Sequence, residues 1–368
     1  MSPVDGSGPA SVFFAYRDAP ERRAALAAPP GSLDRYRLFG LDEIVARGVR
    51  VRHNLEHDPG AAANLGDRVA RFAVARAGGY GGDFASIFAS LGAVNRSDVV
   101  LSTVDTVGIP LVLLARAGLV RRPVVYTAIG LPERLVQLGG PRITGFYRAA
   151  LRRARAIVSY AESEVAWLRD WLGPGGPPVV FVPFGVDVEA FRPGPGAEPE
   201  DDVVSVGADP RRDFGLLTDI AARHPELRFR IVAGADNARG LGSLPGNVAV
   251  ETDITLEAVR ARLAGARVVA LPVRENSYSG ATTVLLQAMA LGKPVVVSRT
   301  EAIAAGYSLE DGVNCRLVEP GDAAAFEAAV VATLDSGADA LGSRARETVE
   351  LHLSWQHYTA ALWDVLSG

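Results

Sequence analysis

Short unbroken apolar runs recur along this chain and alternate with longer stretches in which apolar positions return every three to four residues. In the first half the runs are SVFFAY (11–16), VRVRHNL (49–55), DVVLSTV (98–104), PVVYTAI (123–129), AIVSYA (156–161) and PVVFVP (178–183). Periodic segments at 41–47, 83–92 and 141–153 lie between them. A succession of strand, crossover helix and strand predicts parallel pairing, so the pattern predicts a doubly wound α/β sheet. Residues 17–40, rich in Pro, Gly and Arg, follow the first run without periodicity and predict a long irregular segment. At the carboxyl edge of a parallel sheet it would overhang the ligand crevice.

The alternation stops at PGPGAEPEDD (193–202), a Pro/Gly-rich acidic stretch that predicts an interdomain hinge. It then resumes with strands at 203–207, 228–234, 248–252, 268–273 and 294–298. Helices are expected at 215–222, 256–263, 282–291 and 323–334. A second doubly wound sheet follows. The expected organisation is an N-terminal Rossmann-like domain over 1–195 and a C-terminal one over 196–350, facing each other across a cleft. The amphipathic segment SWQHYTAALWDVL (354–366), bearing Trp355, Tyr358, Leu362 and Trp363, predicts a closing helix within 351–368 that packs back across the domain boundary.

Composition narrows this picture without redirecting it. With 368 residues, 48% hydrophobic and 22% charged, the chain can bury two ordinary cores. Lys293 is the single lysine among 38 basic residues, a bias that matches arginine-rich coding in a high-GC, bacterial genome rather than guanidinium chemistry. Cys315 is the single cysteine, which excludes an intrachain disulfide and a cysteine-based zinc site and predicts a reducing, cytoplasmic setting. No run of 18 apolar residues and no leader pattern occurs, so neither export nor a membrane span is expected. Residues 1–195 hold 23 basic and 18 acidic side chains, about +5, and the remainder 15 against 24, about −9. The cluster Arg148, Arg152, Arg153 and Arg155 leaves three readings open: an anionic acceptor, a peripheral membrane contact, or a solvated helix face.

Candidate chemistry concentrates in the second half. The segment RENSYSGATTVLLQAMALGKPVVVS (274–298) runs from a strand end through a small-residue turn into a helix. Ser279 and Gly280 allow close backbone approach. The N–H groups of Ala281, Thr282 and Thr283 would point out of the positive end of the helix, an anion cradle. Val284, Leu285, Ala288 and Met289 form the expected buried stripe. Thr283 and Gln287, four residues apart, are expected to look towards a ligand. The second element is VVSVGADPRRDFGLL (203–217), where a turn containing Gly207 precedes Arg211 and Arg212. Guanidinium groups at that point bind phosphate oxygens bidentately and keep their charge. The two elements together predict a diphosphate site. None of His53, His57, His224, His352 and His357 falls at a metal-ligand spacing, and GGYGG (78–82) is no dinucleotide fingerprint.

These residues also carry a family likeness. AIVSYAESEVAWLRDWLG (156–173) with VFVPFGVDVEAFRP (180–193), VSVGADPRRDF, LLQAMALGKPVVVS, GVNCRLVEPGD (312–322) and SWQHYTAAL stand in the order of five motifs of one family. From about residue 98 to its end the chain resembles the retaining glycosyltransferases of the GT-B fold, family 4 type. The resemblance implies a metal-independent transferase without a permanently bound cofactor. It would move a sugar from a UDP- or GDP-linked donor to a hydroxyl of a small molecule, lipid or glycan, with no nucleic-acid partner. On that resemblance Arg211 and Arg212 hold the donor diphosphate and Gln287 meets a ribose hydroxyl.

The departures are specific. The family's paired glutamates, spaced Glu-x7-Glu, fall on Ser279 and Gln287, and Glu275 lies four residues before the first. Ala208 stands where the family has a basic residue, and Phe184 where it has Asn. The histidine of the N-terminal domain has no counterpart in YTAIG (126–130). Loss of the glutamate pair keeps two further readings open. One is an epimerase or pseudo-glycosyl coupling enzyme of the same fold, and the other a catalytically silent nucleotide-sugar-binding subunit.

Overall fold

The computed structural model describes residues 8–194, 200–278, 280–336 and 339–368. The chain divides into two compact units, Met1–Val182 with Thr359–Gly368, and Pro183–Tyr358. In the first unit the chain runs β1 (Ser11–Ala15), α1 (Pro20–Ala27), α2 (Leu41–Ala46), β2 (Arg50–His53), α3 (Ala61–Arg76), α4 (Phe84–Asn95), β3 (Val99–Ser102) and α5 (Asp105–Arg116). It continues through β4 (Val124–Ala128), α6 (Leu131–Leu138), α7 (Pro141–Leu151), β5 (Ala156–Ser159), α8 (Glu162–Leu172) and β6 (Val179–Phe181). The six strands pair in the order β2-β1-β3-β4-β5-β6, every neighbour parallel, with Val12 opposite Val51 on one side and Val99 on the other. Strands β1, β3, β4 and β5 are buried along their whole length. Helices on both sheet faces demand this, and it is why these strands read as unbroken apolar runs.

The stretch 17–40 is more ordered than its composition suggests. Pro20 opens α1 at a position where its missing N–H costs nothing, and Leu33–Leu38 forms a 3₁₀ turn. Arg35 is the organiser. Its Nη1 donates to the carbonyls of Ala25, Leu26 and Ala28 at the end of α1 (3.3, 3.0 and 3.0 Å), while Nη2 pairs with Asp42 at 2.5 Å. A cation at a helix C-terminus meets both the dipole and the orphan carbonyls there. The arginine cluster near residue 150 is likewise used internally. Arg148 lies 5.1 Å over the Trp171 ring, Arg152 donates to Leu172 O (2.5 Å) and Arg155 to Leu366 O (3.1 Å). Arg148, Arg152 and Arg153 remain exposed.

The second unit holds β7 (Asp201–Gly207), α9 (Phe214–Arg223), β8 (Phe229–Ala233), α10 (Ala235–Arg239), β9 (Val248–Glu251), α11 (Leu256–Ala264) and β10 (Ala266–Leu271). Then come α12 (Thr282–Ala290), β11 (Val295–Ser298), β12 (Arg316–Val318), α13 (Ala323–Asp335) and α14 (Asp339–His352). Its sheet is again all parallel, in the order β12-β11-β10-β7-β8-β9. The direction of strand addition reverses between β7 and β10. The final helix, α15 (Trp355–Ser367), begins in this unit and ends in the first.

The division between units falls earlier than the Pro/Gly-rich stretch at 193–202. Residues 183–191 are stitched to the second unit. Val186 bridges Ser354, and Arg346 Nη1 donates to the carbonyls of Val188 (2.9 Å) and Phe191 (3.0 Å). Asp201 and Asp202 are already part of β7. Phe184, the residue standing where the family has Asn, is a packing residue, with ring centroids 5.9 Å from Trp355 and 5.2 Å from Tyr358.

Candidate functional site

In an open parallel sheet, ligands bind beyond the carboxyl ends of the strands at the point where strand order reverses. In the second unit that point lies between β7 and β10, and the two connections leaving it are the segments 208–213 and 272–281. They are zipped together by backbone. Arg274 N donates to Arg211 O (2.8 Å), Asp213 N to Pro272 O (3.0 Å), and Arg212 and Val273 form an antiparallel bridge. Ser298 Oγ, at the end of β11, accepts the N–H of Val273 at 2.9 Å.

Asp209 fastens the pair. Its Oδ1 accepts from the backbone N–H of Arg211 (2.8 Å) and from Tyr278 Oη (3.0 Å), and its carbonyl accepts from Asn237 Nδ2 (2.9 Å). Gly280 sits against this carboxylate: a β-carbon there would lie 3.2 Å from Asp209 Cγ. Ala281 follows as the N-cap of α12, and among the described residues no side chain caps that helix. The first-turn N–H groups and the positive end of the dipole lie at this end of the helix.

Arg212 is the unusual group of the site. It is 3% exposed, and its Nη2 donates to Val206 O. Nε and Nη1 are buried and have no acceptor among the described residues. Burial pulls its pKa down to about 10, with Asp209 acting in the opposite sense, so it stays charged at neutral pH. Ser205 Oγ, Asn276 Oδ1 and Thr282 Oγ1 are also buried without a partner. In the second unit, among the described residues, every buried side-chain nitrogen or oxygen lacking a partner belongs to β7, to these two connections or to the first residue of α12. Native interiors rarely leave such groups unsatisfied, and a buried guanidinium with unfilled donors is among the costliest. An anionic, oxygen-rich ligand would supply acceptors to the Arg212 nitrogens and to a hydroxyl such as that of Thr282, whereas Asn276 Oδ1 is itself an acceptor and needs a donor.

The expected site residues are placed as follows. Gly207 ends β7 beneath the Arg212 guanidinium, Arg211 is half-buried beside it, and Gly280, Ala281, Thr282 and Thr283 form the mouth of α12. Ser279 lies outside the described residues. Gln287 is 2% exposed, so its amide is enclosed and does not meet bulk solvent. Val284 is half-buried where full burial was expected, and Leu286 and Gln287 are buried as well, so α12 is enclosed on nearly every side. Glu275 has a backbone role. Its Oε1 accepts the N–H groups of Asn276 (3.0 Å) and Glu301 (3.0 Å), which commits it to the chain after β11. Asp209, Tyr278 and Asn276 were not singled out from sequence, because their partners are distant in the chain or lie in the backbone. Among the described residues no group of three or more His, Cys, Asp or Glu side chains is placed to hold a metal ion.

Solved structures share this architecture over most of the chain. Sucrose-phosphate synthase from Thermosynechococcus elongatus superposes with a TM-score of 0.70 at 17% identity, covering 96% of this chain and 98% of that one. Anabaena HepE, solved in complex with UDP-glucose, gives 0.69 at 15% identity over 97% and 99%. A variant of S. aureus TarM, in complex with fondaparinux, alpha-GlcNAc-glycerol and UDP, gives 0.60 at 14% over 77% and 59%. No curated protein matches the chain. The fold is thus of the GT-B class, with two Rossmann-like units. Residues 215–336, which run from α9 to just past α13 and include α12, match the family model described as glycosyl transferases group 1.

Proposed function

We propose that this chain is a retaining glycosyltransferase that uses a nucleoside-diphosphate hexose, UDP-linked by preference, and an acceptor hydroxyl on a small molecule, lipid or glycan. The observation that carries the reading is the buried Arg212 guanidinium, with Nε and Nη1 unpartnered, in the connection that is zipped to the one leading into the uncapped start of α12. A diphosphate supplies two charges and several acceptor oxygens to that pair of donors. HepE, a structural neighbour, was solved with UDP-glucose and with UDP, which supports the choice of uridine.

In this reading the bond from the anomeric carbon to the β-phosphate oxygen breaks as the acceptor oxygen bonds to that carbon from the same face. The acceptor proton passes to the departing phosphate oxygen. Negative charge gathers on the diphosphate as the bond breaks, so Arg212, Arg211 and the N–H groups of Thr282 and Thr283 stabilise the transition state more than the ground state. Removing one such donor costs about 10²–10³ in rate. The enclosed Gln287 amide meets a ribose hydroxyl.

The test is calorimetric titration of UDP and GDP into the native chain and into the double variant Arg211→Ala/Arg212→Ala. Native binding that vanishes in the variant is the expected result. Equal affinity of both proteins removes the diphosphate site and the reading with it.

A further inference from the structure

A carboxylate is built into the site proposed for a diphosphate. Asp209 stands half-buried in the connection after β7, and a β-carbon on Gly280, at the entry to α12, would lie 3.2 Å from its Cγ and 3.3 Å from its Oδ1. The donors it holds are neutral. Both the Arg211 backbone N–H (2.8 Å) and the Tyr278 hydroxyl (3.0 Å) meet Oδ1, and Oδ2 accepts no hydrogen bond from the described residues. A side-chain amide would accept the same two bonds at one oxygen and would not repel a phosphate. Joining the two connections therefore explains neither the charge of Asp209 nor its second oxygen.

A second acceptor, in the facing connection, points the same way. Asn276 is 3% exposed and donates its Nδ2 to Arg274 O (2.9 Å), which fixes the amide's orientation and leaves Oδ1 buried without a donor. A diphosphate brings acceptor oxygens, so it fills the Arg212 nitrogens but neither of these two oxygens. The donors of a nucleoside-diphosphate hexose that remain for them are hydroxyls, on the ribose and on the transferred sugar. With a ribose hydroxyl assigned to Gln287, about two turns along the chain from Gly280, the hexose is the part left to meet Asp209. A hydroxyl is welcome beside a carboxylate where a phosphate is not.

We propose that Asp209 binds the hexose of the donor: Oδ2 accepts a sugar hydroxyl, while the two bonds at Oδ1 fix the plane of the carboxylate. Tyr278 is then a positioning residue. The arrangement also separates substrate from product. Once the hexose has been transferred, the diphosphate carries one more negative charge and no sugar hydroxyl, so the same carboxylate loses its hydrogen bond and gains repulsion. Asp209 thereby favours the glycosylated donor over the bare diphosphate. The inference rests on the diphosphate reading above and extends it to the sugar.

Calorimetric titration of UDP, UDP-glucose, UDP-galactose and UDP-N-acetylglucosamine into the native chain and into Asp209→Asn tests it. The variant keeps an oxygen for both neutral donors and removes the charge. It is expected to lower affinity for the sugar nucleotide that the native chain binds best by about tenfold or more, and to leave UDP affinity unchanged or raised. Tyr278→Phe should act in the same direction, and adding it to Asp209→Asn should cost little more, because it works through that carboxylate. It also carries the test should thermal melting show that Asp209→Asn does not fold. Equal losses for UDP and its sugars overturn the proposal, since Asp209 would then be a clamp or a ribose ligand. A gain for both overturns it too, because the carboxylate would merely stand in for an absent diphosphate, and so does unchanged affinity for all three sugar nucleotides. Failure of the native chain to bind UDP is a separate result, which removes the diphosphate reading and this inference with it.

Discussion

Gly207 and the Arg212 guanidinium share one small space: a β-carbon on Gly207 would fall 2.2 Å from Arg212 Nε. Gly207→Ala must therefore displace the guanidinium without touching its charge. The expected outcome is a loss of UDP affinity matching that of Arg212→Ala, more than about tenfold, with the fold intact. Calorimetry on the two variants checks it, and wild-type affinity in Gly207→Ala would show that the close approach is not what holds Arg212 in place.

Arg212 should also reveal a trade between stability and function. A buried cation whose donors are not all filled destabilises the ligand-free protein, and an unbranched apolar side chain of similar length removes that cost. Arg212→Met is expected to raise the melting temperature of the ligand-free chain, by the equivalent of about 1–3 kcal/mol, and to abolish the further rise produced by UDP. Thermal-shift curves with and without UDP read both effects. A lower melting temperature without ligand would mean that the contact with Val206 outweighs the desolvation of the charge.

A pH dependence is built into the first unit. Burial pushes Glu164 up to about 8 and Asp105 up to about 7. Glu164 accepts the N–H of Gly130 (2.7 Å) and the Ser159 hydroxyl (2.6 Å), and Asp105 accepts the Tyr126 hydroxyl (2.5 Å) and the N–H of Ile129 (3.1 Å). Between the ordinary carboxylate range and these raised values the folded chain binds more protons than the unfolded one, so stability falls as pH rises through that window. The full contribution is present below about pH 4 and is lost by about pH 8, on the order of a few kcal/mol. Glu164→Gln retains an acceptor for Gly130 and should flatten the slope of melting temperature against pH. An unchanged slope would assign the effect elsewhere.

Cys315 offers a reagent-based check on the second unit. It is fully buried, and desolvation with Asp311 nearby pushes its thiol up to about 12. Both conditions suppress thiolate chemistry. The native chain is expected to be inert to a thiol-specific chromophore at neutral pH and to react in step with unfolding as denaturant is added. Rapid reaction of the folded chain would show that the packing around β12 is open.

The two sheets were legible because parallel strands covered on both faces spell unbroken apolar runs, as at Val124–Ala128 and Val295–Ser298. Strand β12 was not, since three residues at the sheet edge, two of them half-buried, leave no run to read. Helix α3 was missed because its large apolar side chains, Leu65, Val69 and Phe72, face outward, while small residues such as Gly66 line its inner face. The order in the 17–40 segment depends on one arginine reaching three carbonyls and an aspartate, a tertiary fact with no local pattern. At the site, the turn into α12 and the Arg-Arg pair announced themselves through residue type. The Asp209–Tyr278 hydrogen bond spans 69 residues and is visible only once β7 and β10 lie side by side.

Helix α12 is walled in as far as its other end, where Gly292 O would lie 2.0 Å from a β-carbon on Gly342 of α14. Its amide mouth is therefore aimed by the interior of the unit before any nucleotide arrives. Selection for a different donor would find almost no slack in this backbone, and would have to proceed through exchange of the few side chains around the opening.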